Sequence, residues 1–399
     1  MKEKDTNKPT RSSASSRFAG RVGSNVAVVL LLVSLGFVLG LTSSNAMFLK
    51  SFYDPSSFMT SVSTPIFLKL SSTTSRTPPP PPSSSSPPPQ IRPAPMHNMT
   101  DEELFWRASM APKTHRPPNN VLPKKVAFMF LVRGELPLRP LWEKFFSGQR
   151  IDHYTIYVHA HPSYNFTGSP DSVFHGRYVP SKIAKWGDAS LVEAERRLLA
   201  NALLDAGNQR FVLLSESCIP VYNFTTIHDY LTVRAANTSF VDSFENGGSR
   251  SRYREFFAGR NITYAKWRKG AQWFEMDRDL AVDVAADGDF VFSAFRDFCV
   301  GRSECLIDEH YVATLVTMLG WGKRNANRTL TYADWSRPVN RHPHTYTADE
   351  ITEKVIGGIR EDKRCGDKSG GICNLFARKF GRETLQPLLR LAPKVMGFG

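Results

Sequence analysis

The sequence predicts an α/β protein in which short buried strands alternate with amphipathic helices. Three observations carry this. Val126 to Val132 is a continuous apolar run bounded by Lys125 and Arg133-Gly134, the pattern of a strand buried on both faces. Tyr154 to His159 and Phe211 to Leu214 are further runs rich in β-branched, aromatic and aliphatic residues. Between them, Ser190-Leu-Val-Glu193 reads as a capping box that opens a helix closed by Gly207, with Leu191, Ala194, Leu198, Ala202 and Leu203 on or near one face. No period of roughly 20–50 residues repeats, which argues against solenoids and propellers.

The chain has 399 residues and a formal net charge of +14. Part of that excess sits at the N-terminus, where Lys2, Lys4, Lys8, Arg11, Arg17 and Arg21 crowd together. No zinc-finger spacing or RNA-binding signature accompanies it, so no nucleic-acid partner is expected. From Val22 to Leu49 no residue is charged, and Val26 to Leu41 is strongly apolar. Roughly 20 such residues cross a bilayer as a helix, and basic residues on the N-terminal side place that side in the cytosol. A cleaved signal peptide, with Ser44-Asn45-Ala46 as the cleavage site, is the alternative. The uncharged stretch is long for that and favours a retained anchor.

The expected organisation is therefore a cytosolic basic tail (1–21), a single transmembrane signal-anchor (22–49), a disordered Pro/Ser-rich stem (50–123) and a lumenal body (124–399). The stem contains Pro78 to Pro82, Ser83 to Ser86 and Pro87 to Pro89, a composition that makes a spacer and not a core. Asp101 to Ser109 could form a short helix after the Asn98-Met-Thr100 turn. N-x-[ST] triplets at Asn98, Asn165, Asn223, Asn237, Asn261 and Asn327 agree with a lumenal body and are candidate glycosylation sites. The 5 cysteines all lie beyond residue 200. Cys299/Cys305 and Cys365/Cys373 are close enough to pair in an oxidising compartment. Cys218 falls in an apolar strand pattern and reads as a small buried hydrophobe.

Within the body, Leu141 to Phe146 suits a helix, and Ser239 to Phe244 and Gln272 to Met276 look like further strands. Ligands of such sheets bind beyond the carboxyl ends of the strands. That singles out Arg133, His159, Glu216 and Asp242. P-loop, Gly-x-Gly-x-x-Gly, His-Glu-x-x-His and Gly-x-Ser-x-Gly patterns are missing from the sequence, leaving little support for the chemistries they carry. The candidate chemistry sits in Cys299 to Tyr311. There Asp308 is a possible N-cap for a helix with Tyr311, Val312, Leu315, Val316 and Leu319 on one face and Gly320 as its stop. Glu309 would stand in the first turn as a fixed carboxylate suited to general-base work, although capping alone also explains acidic residues there.

Asp277-Arg-Asp279 and Asp287-Gly-Asp289 could hold a divalent ion on a diphosphate. A helix cap and a turn explain them more simply, and no metal is expected. Fixed cations are the alternative partner for a diphosphate. The C-terminal segment supplies Arg364, Lys368, Arg378 and Lys379, with Cys365–Cys373 able to pin the loop before them.

Lys125 to Gly134, Trp186-Gly-Asp-Ala-Ser190, Leu213 to Pro220, Trp267 to Arg278, Asp308-Glu-His310 and Leu375-Phe-Ala-Arg-Lys-Phe380 follow one another in this order. Together they resemble the plant branch of the core-2/I-branching β-1,6-N-acetylglucosaminyltransferase family, which includes brittle-culm-type proteins and is glycosyltransferase family 14-like. The resemblance runs from about Lys124 to the C-terminus. It implies an inverting transferase of GT-A-like nucleotide-sugar fold, a Rossmann-like mixed sheet flanked by helices, in the Golgi membrane with its catalytic domain lumenal. It implies a UDP-sugar donor, N-acetylglucosamine being the expected sugar, and a glycan or glycoprotein acceptor. On the family pattern the base falls on Glu309, and Lys379 helps hold the diphosphate without metal, with Arg378 and Arg133 as helpers. Trp335 is the candidate for stacking on the acceptor sugar. The acidic residue that animal members carry near the nucleotide base is His161 here, and only the Cys365/Cys373 pair matches their disulfides. Transfer of glucuronic acid or another sugar to cell-wall or arabinogalactan-type glycans stays open, as does a tethered glycan-binding protein without turnover.

Overall fold

The computed structural model describes residues 96–113, 123–302, 305–362, 365 and 371–399. A four-stranded sheet of order β2-β1-β3-β5 is built from β1 (Lys125–Leu131), β2 (Tyr154–His159), β3 (Asn208–Ser215) and β5 (Glu275–Asp277). β1 pairs in parallel with both β2 and β3, and β5 runs antiparallel to β3. A second sheet of order β4-β7-β6 contains β4 (Ile219–Pro220), β6 (Thr331–Ala333) and β7 (Phe376–Arg378), with β6 and β7 parallel. Mixed sheets with a parallel core and flanking helices fit a GT-A-like fold.

The apolar run of β1 is continuous because each face meets its own core. Val126, Phe128 and Phe130 point to one side, among Trp142, Phe145 and Phe146 of α2 (Arg139–Phe146). Ala127, Met129 and Leu131 point to the other, among Leu198, Leu199 and Leu203 of α3 (Ala189–Leu203). The Phe128 ring meets Phe146 edge-on at 5.1 Å between centroids. A fully buried side chain of this size contributes about 1.5–3 kcal/mol. β3 and β5 are bound by a buried ion pair: Arg210 Nε and Nη2 donate to the two Glu275 oxygens at 2.7 and 2.5 Å. The same guanidinium satisfies the carbonyls of Ala235, Ala236 and Thr238, so neither charge is left unpaired in the interior.

Several elements differ from the sequence expectation. α3 is capped by Asp188, whose Oδ1 accepts from Ser190 N at 2.8 Å, and it ends at Leu203, short of Gly207. Ser239 to Phe244 forms no strand. Its backbone makes isolated bridges, and two of its amides, Val241 and Ser243, donate to side-chain oxygens of Asn325 and Asn327 where a neighbouring strand would otherwise pair. Gln272 to Met276 contributes only the start of the three-residue β5. The cap of α4 (Arg278–Ala286) is Asp277, not Asp279. α5 (Val291–Cys299) precedes the Cys299–Cys305 bridge, and Cys365–Cys373 is also formed, while Cys218 is free and buried.

Asp101 to Ser109 is a helix, α1, capped by the Thr100 hydroxyl. Contrary to the boundary expected at Lys124, it packs into the body. Leu104 and Ala108 are buried in the core shared with α3 and α4, Arg196 lies over the Phe105 ring at 4.6 Å, and Asp101 pairs with buried Arg197. A chain starting at Lys124 is therefore expected to be less stable than one starting at Pro87 by about 3 kcal/mol, since the burial of Leu104 and Ala108 and the Asp101–Arg197 pair are lost together. Denaturant melts of the two lengths check this, and equal midpoints would detach α1 from the body.

Among the described residues no helix is long and apolar enough to cross a membrane. The basic tail, the uncharged stretch 22–49 and the stem as far as residue 95 lie outside the described residues, as do Arg364 and Lys368.

Candidate active site

The carboxyl ends of β1, β2, β3, β6 and β7 converge on one cavity of about 1080 Å³. Arg133 follows β1, His159 ends β2, Glu216 follows β3, Trp335 follows β6, and Arg378 and Lys379 end and follow β7; all line it. Glu309 and Asp308 form part of the same wall system.

Glu309 is not in the first turn of a helix capped by Asp308. It closes a short 3-10 turn, Ile307–Glu309, after Leu306 in left-handed geometry, and α6 (Tyr311–Met318) starts two residues later without a side-chain cap. Leu319, expected on the buried face, is 43% exposed. The carboxylate of Glu309 is placed by long-range partners instead. Arg252 Nη1 donates to Oε2 at 2.5 Å and Lys269 Nζ lies 3.3 Å from the same oxygen. Both contacts fall on Oε2, so Oε1 is the oxygen available to a ligand. Burial works to raise the Glu309 pKa, but the hydrogen bond from Arg252 and the charge of Lys269 outweigh it and leave it below its ordinary value. Glu309 is thus ionised at neutral pH.

The neighbours serve this placement. His310 is buried, with burial pushing its pKa down to about 4, so it is neutral. Its Nδ1 donates to the Arg268 carbonyl at 2.7 Å, which leaves Nε2 facing Arg252 Nη1 at 3.5 Å. Trp267 stacks on the imidazole at 4.6 Å. Gly270 N donates to the Glu309 carbonyl at 2.8 Å. A side chain at Gly270 would meet the Asp242 carbonyl oxygen at 2.1 Å, so only glycine allows these three segments to close up. Asp308 is raised to about 6, first by burial and then by the Glu309 charge.

The same cavity carries a group of cations, Arg133, Arg378 and Lys379, with Glu216 as the carboxylate acting on them. Among the described residues neither Arg378 nor Lys379 forms an ion pair, and the buried Nε of Arg378 has no hydrogen-bond partner. The Arg378 guanidinium lies 4.4 Å from the Trp273 ring centre. Lys379 is lowered to about 8, first by burial and then by the charge of Arg378. Arg133 is 95% exposed and reaches Glu216 at only 4.0 Å. His342 feels both these cations and Glu309: after burial, Lys379, Arg378 and Arg133 lower its pKa while Glu309 raises it.

Trp335 is 56% exposed beside the cavity, and Trp186, 52% exposed, lines it too, its ring edge-on to His342 at 5.6 Å. Trp186 was visible only as part of a motif, without a role. His161 lines the cavity and bonds Ser163 Oγ at 2.7 Å. Asp277 and Asp279 do not line it; Arg324 binds them at 2.6 and 2.9 Å. Asp287 accepts from the Val291 and Phe292 amides. Asp277 and Asp287 thus serve backbone amides, and Asp277 and Asp279 pair with Arg324. Of the glycosylation triplets, Asn98, Asn165, Asn237, Asn261 and Asn327 are exposed and Asn223 is half-buried. The Oδ1 atoms of Asn223 and Asn327 accept backbone amides of Thr226 and Ser243.

Residues 126–360 match the family model described as Core-2/I-Branching enzyme. Glycosyltransferase BC10 of rice (Oryza sativa subsp. japonica) is 33% identical over 318 residues, covering 69% of this chain and 78% of that protein. With the convergent sheet and its cleft, this kinship defines the protein as a glycosyltransferase. More narrowly, the chain belongs to the Core-2/I-branching enzyme family.

Proposed function

We propose that the protein is an inverting, metal-independent transferase that moves a sugar from a UDP-sugar to a hydroxyl of a glycan or glycoprotein. The observation that carries this reading is one cleft lined both by an ionised carboxylate, Glu309, and by the cations Arg378 and Lys379, which form no ion pair among the described residues. Glu309 Oε1 takes the proton of the acceptor hydroxyl. The acceptor oxygen forms its bond to the anomeric carbon as the bond from that carbon to the β-phosphate oxygen breaks on the far face, and UDP departs with the electron pair. Lys379, Arg378 and Arg133 stabilise the charge gathering on the diphosphate, and Trp335 stacks on the acceptor sugar. N-acetylglucosamine is the sugar proposed, with glucuronic acid the alternative; His161, where the animal pattern has an acidic residue near the nucleotide base, leaves the donor to the screen below. The uncharged stretch 22–49 would anchor the chain in the Golgi membrane with the body lumenal.

A screen of UDP-sugars against glycan acceptors, read by UDP release, tests the reading. Transfer is expected to persist in excess chelator. Loss of activity restored by manganese would overturn the metal-independent mechanism, and UDP release or transfer from no donor would favour a binding protein.

A further inference from the structure

We propose that Asp101, on the helix ahead of the first strand, is a positioning residue for the donor half of the cleft. The inference rests on the reading above and extends it by placing the nucleoside at the carboxyl ends of β1 and β2, where Arg133, His159 and His161 line the cleft. Asp101 lies upstream of the segment that matches the family, 126–360.

Its carboxylate holds two cations at once. Arg197 makes a two-pronged contact, Nε to Oδ1 at 2.9 Å and Nη2 to Oδ2 at 2.7 Å. Lys182 Nζ reaches Oδ2 at 2.5 Å. The Arg197 guanidinium and the Lys182 backbone then meet at His159, the last residue of β2, which lines the cleft. Arg197 Nη1 lies 3.3 Å from His159 Nε2, and the Lys182 amide donates to the same nitrogen at 3.4 Å. His159 is 1% exposed and neutral, since burial and then the Arg197 charge push it down to about 4. A neutral ring accepting on Nε2 is the state this arrangement requires. The Arg197 side chain is 2% exposed. Without Asp101 it would be a buried charge facing an imidazole with no counter-charge, and Lys182, itself on the cleft wall, would be released into the ligand space. Asp101 touches neither ligand nor cavity; it acts through Arg197 and Lys182 on the position of His159.

The test uses the full chain. UDP titration by calorimetry and initial rates are measured for wild type, Asp101→Asn, Asp101→Glu and Lys182→Met below their melting midpoints. α1 keeps Leu104 and Ala108 packed in Asp101→Asn. Asp101→Asn is expected to weaken UDP and raise the donor KM about tenfold while kcat stays within about twofold. Asp101→Glu should recover most of this, and Lys182→Met, which leaves the Arg197 pair in place, should give a smaller rise. A folded Asp101→Asn protein with wild-type UDP affinity and KM overturns the proposal, whatever its melting temperature. So does a fall confined to kcat. A wild-type protein that does not bind UDP defeats the donor reading itself.

Discussion

Glu309→Gln is expected to lower kcat by about 10²–10⁴-fold, the usual worth of a positioned proton acceptor, with UDP affinity little changed. The amide keeps the shape and can still accept from Arg252 and Lys269, which hold the carboxylate at 2.5 and 3.3 Å. What it loses is the ability to take the acceptor proton. Because those two cations hold Glu309 below its ordinary pKa, the acid limb of activity should lie in the acidic range, not near neutrality. Activity is present above that pKa and is lost as pH falls through it. A Glu309→Gln protein that transfers sugar at the wild-type rate would remove Glu309 from the mechanism.

Lys379→Met should lower kcat/KM for the donor by about 10²–10³-fold, the scale on which a charge-stabilising group is felt. The wild-type pH profile carries an independent signature. Burial first, and then Arg378, lower Lys379 to about 8. Its charge is present below that pH and lost above it, so kcat/KM should fall on the alkaline side from about pH 8. Lys379→Arg keeps a cation at all accessible pH values and should shift that limb upward even if its shape costs some rate. An unmoved limb in Lys379→Arg would assign it to another group.

The parallel centre of the fold was legible because β1, β2 and β3 are short continuous apolar runs, each buried in its final place. Ser239 to Phe244 mixes polar and apolar residues as an edge strand would but forms none, because Asn325 and Asn327 side chains, more than 80 residues away, occupy its amides. The same limit applies at the site. Glu309 could be singled out locally, yet its assigned capping neighbour does not cap, and its real partner Arg252 is 57 residues distant. Gly270 stood in a quoted motif, but its reason for being glycine is a close approach to Asp242 that only the folded chain creates. The helix at Asp101 was readable from the turn before it; its docking on Arg197 was not, since a buried arginine looks like any surface one in sequence.

The guanidinium of Arg378 lies over Trp273 with one polar edge unmet, so the interior has already borne its desolvation before any nucleotide arrives. Under the proposed mechanism, an environment prepared in this way does not distinguish a diphosphate about to leave from one that has left. The product would linger where the donor was held, so accumulated UDP would compete with fresh donor for the same cations and slow repeated cycles until it is removed.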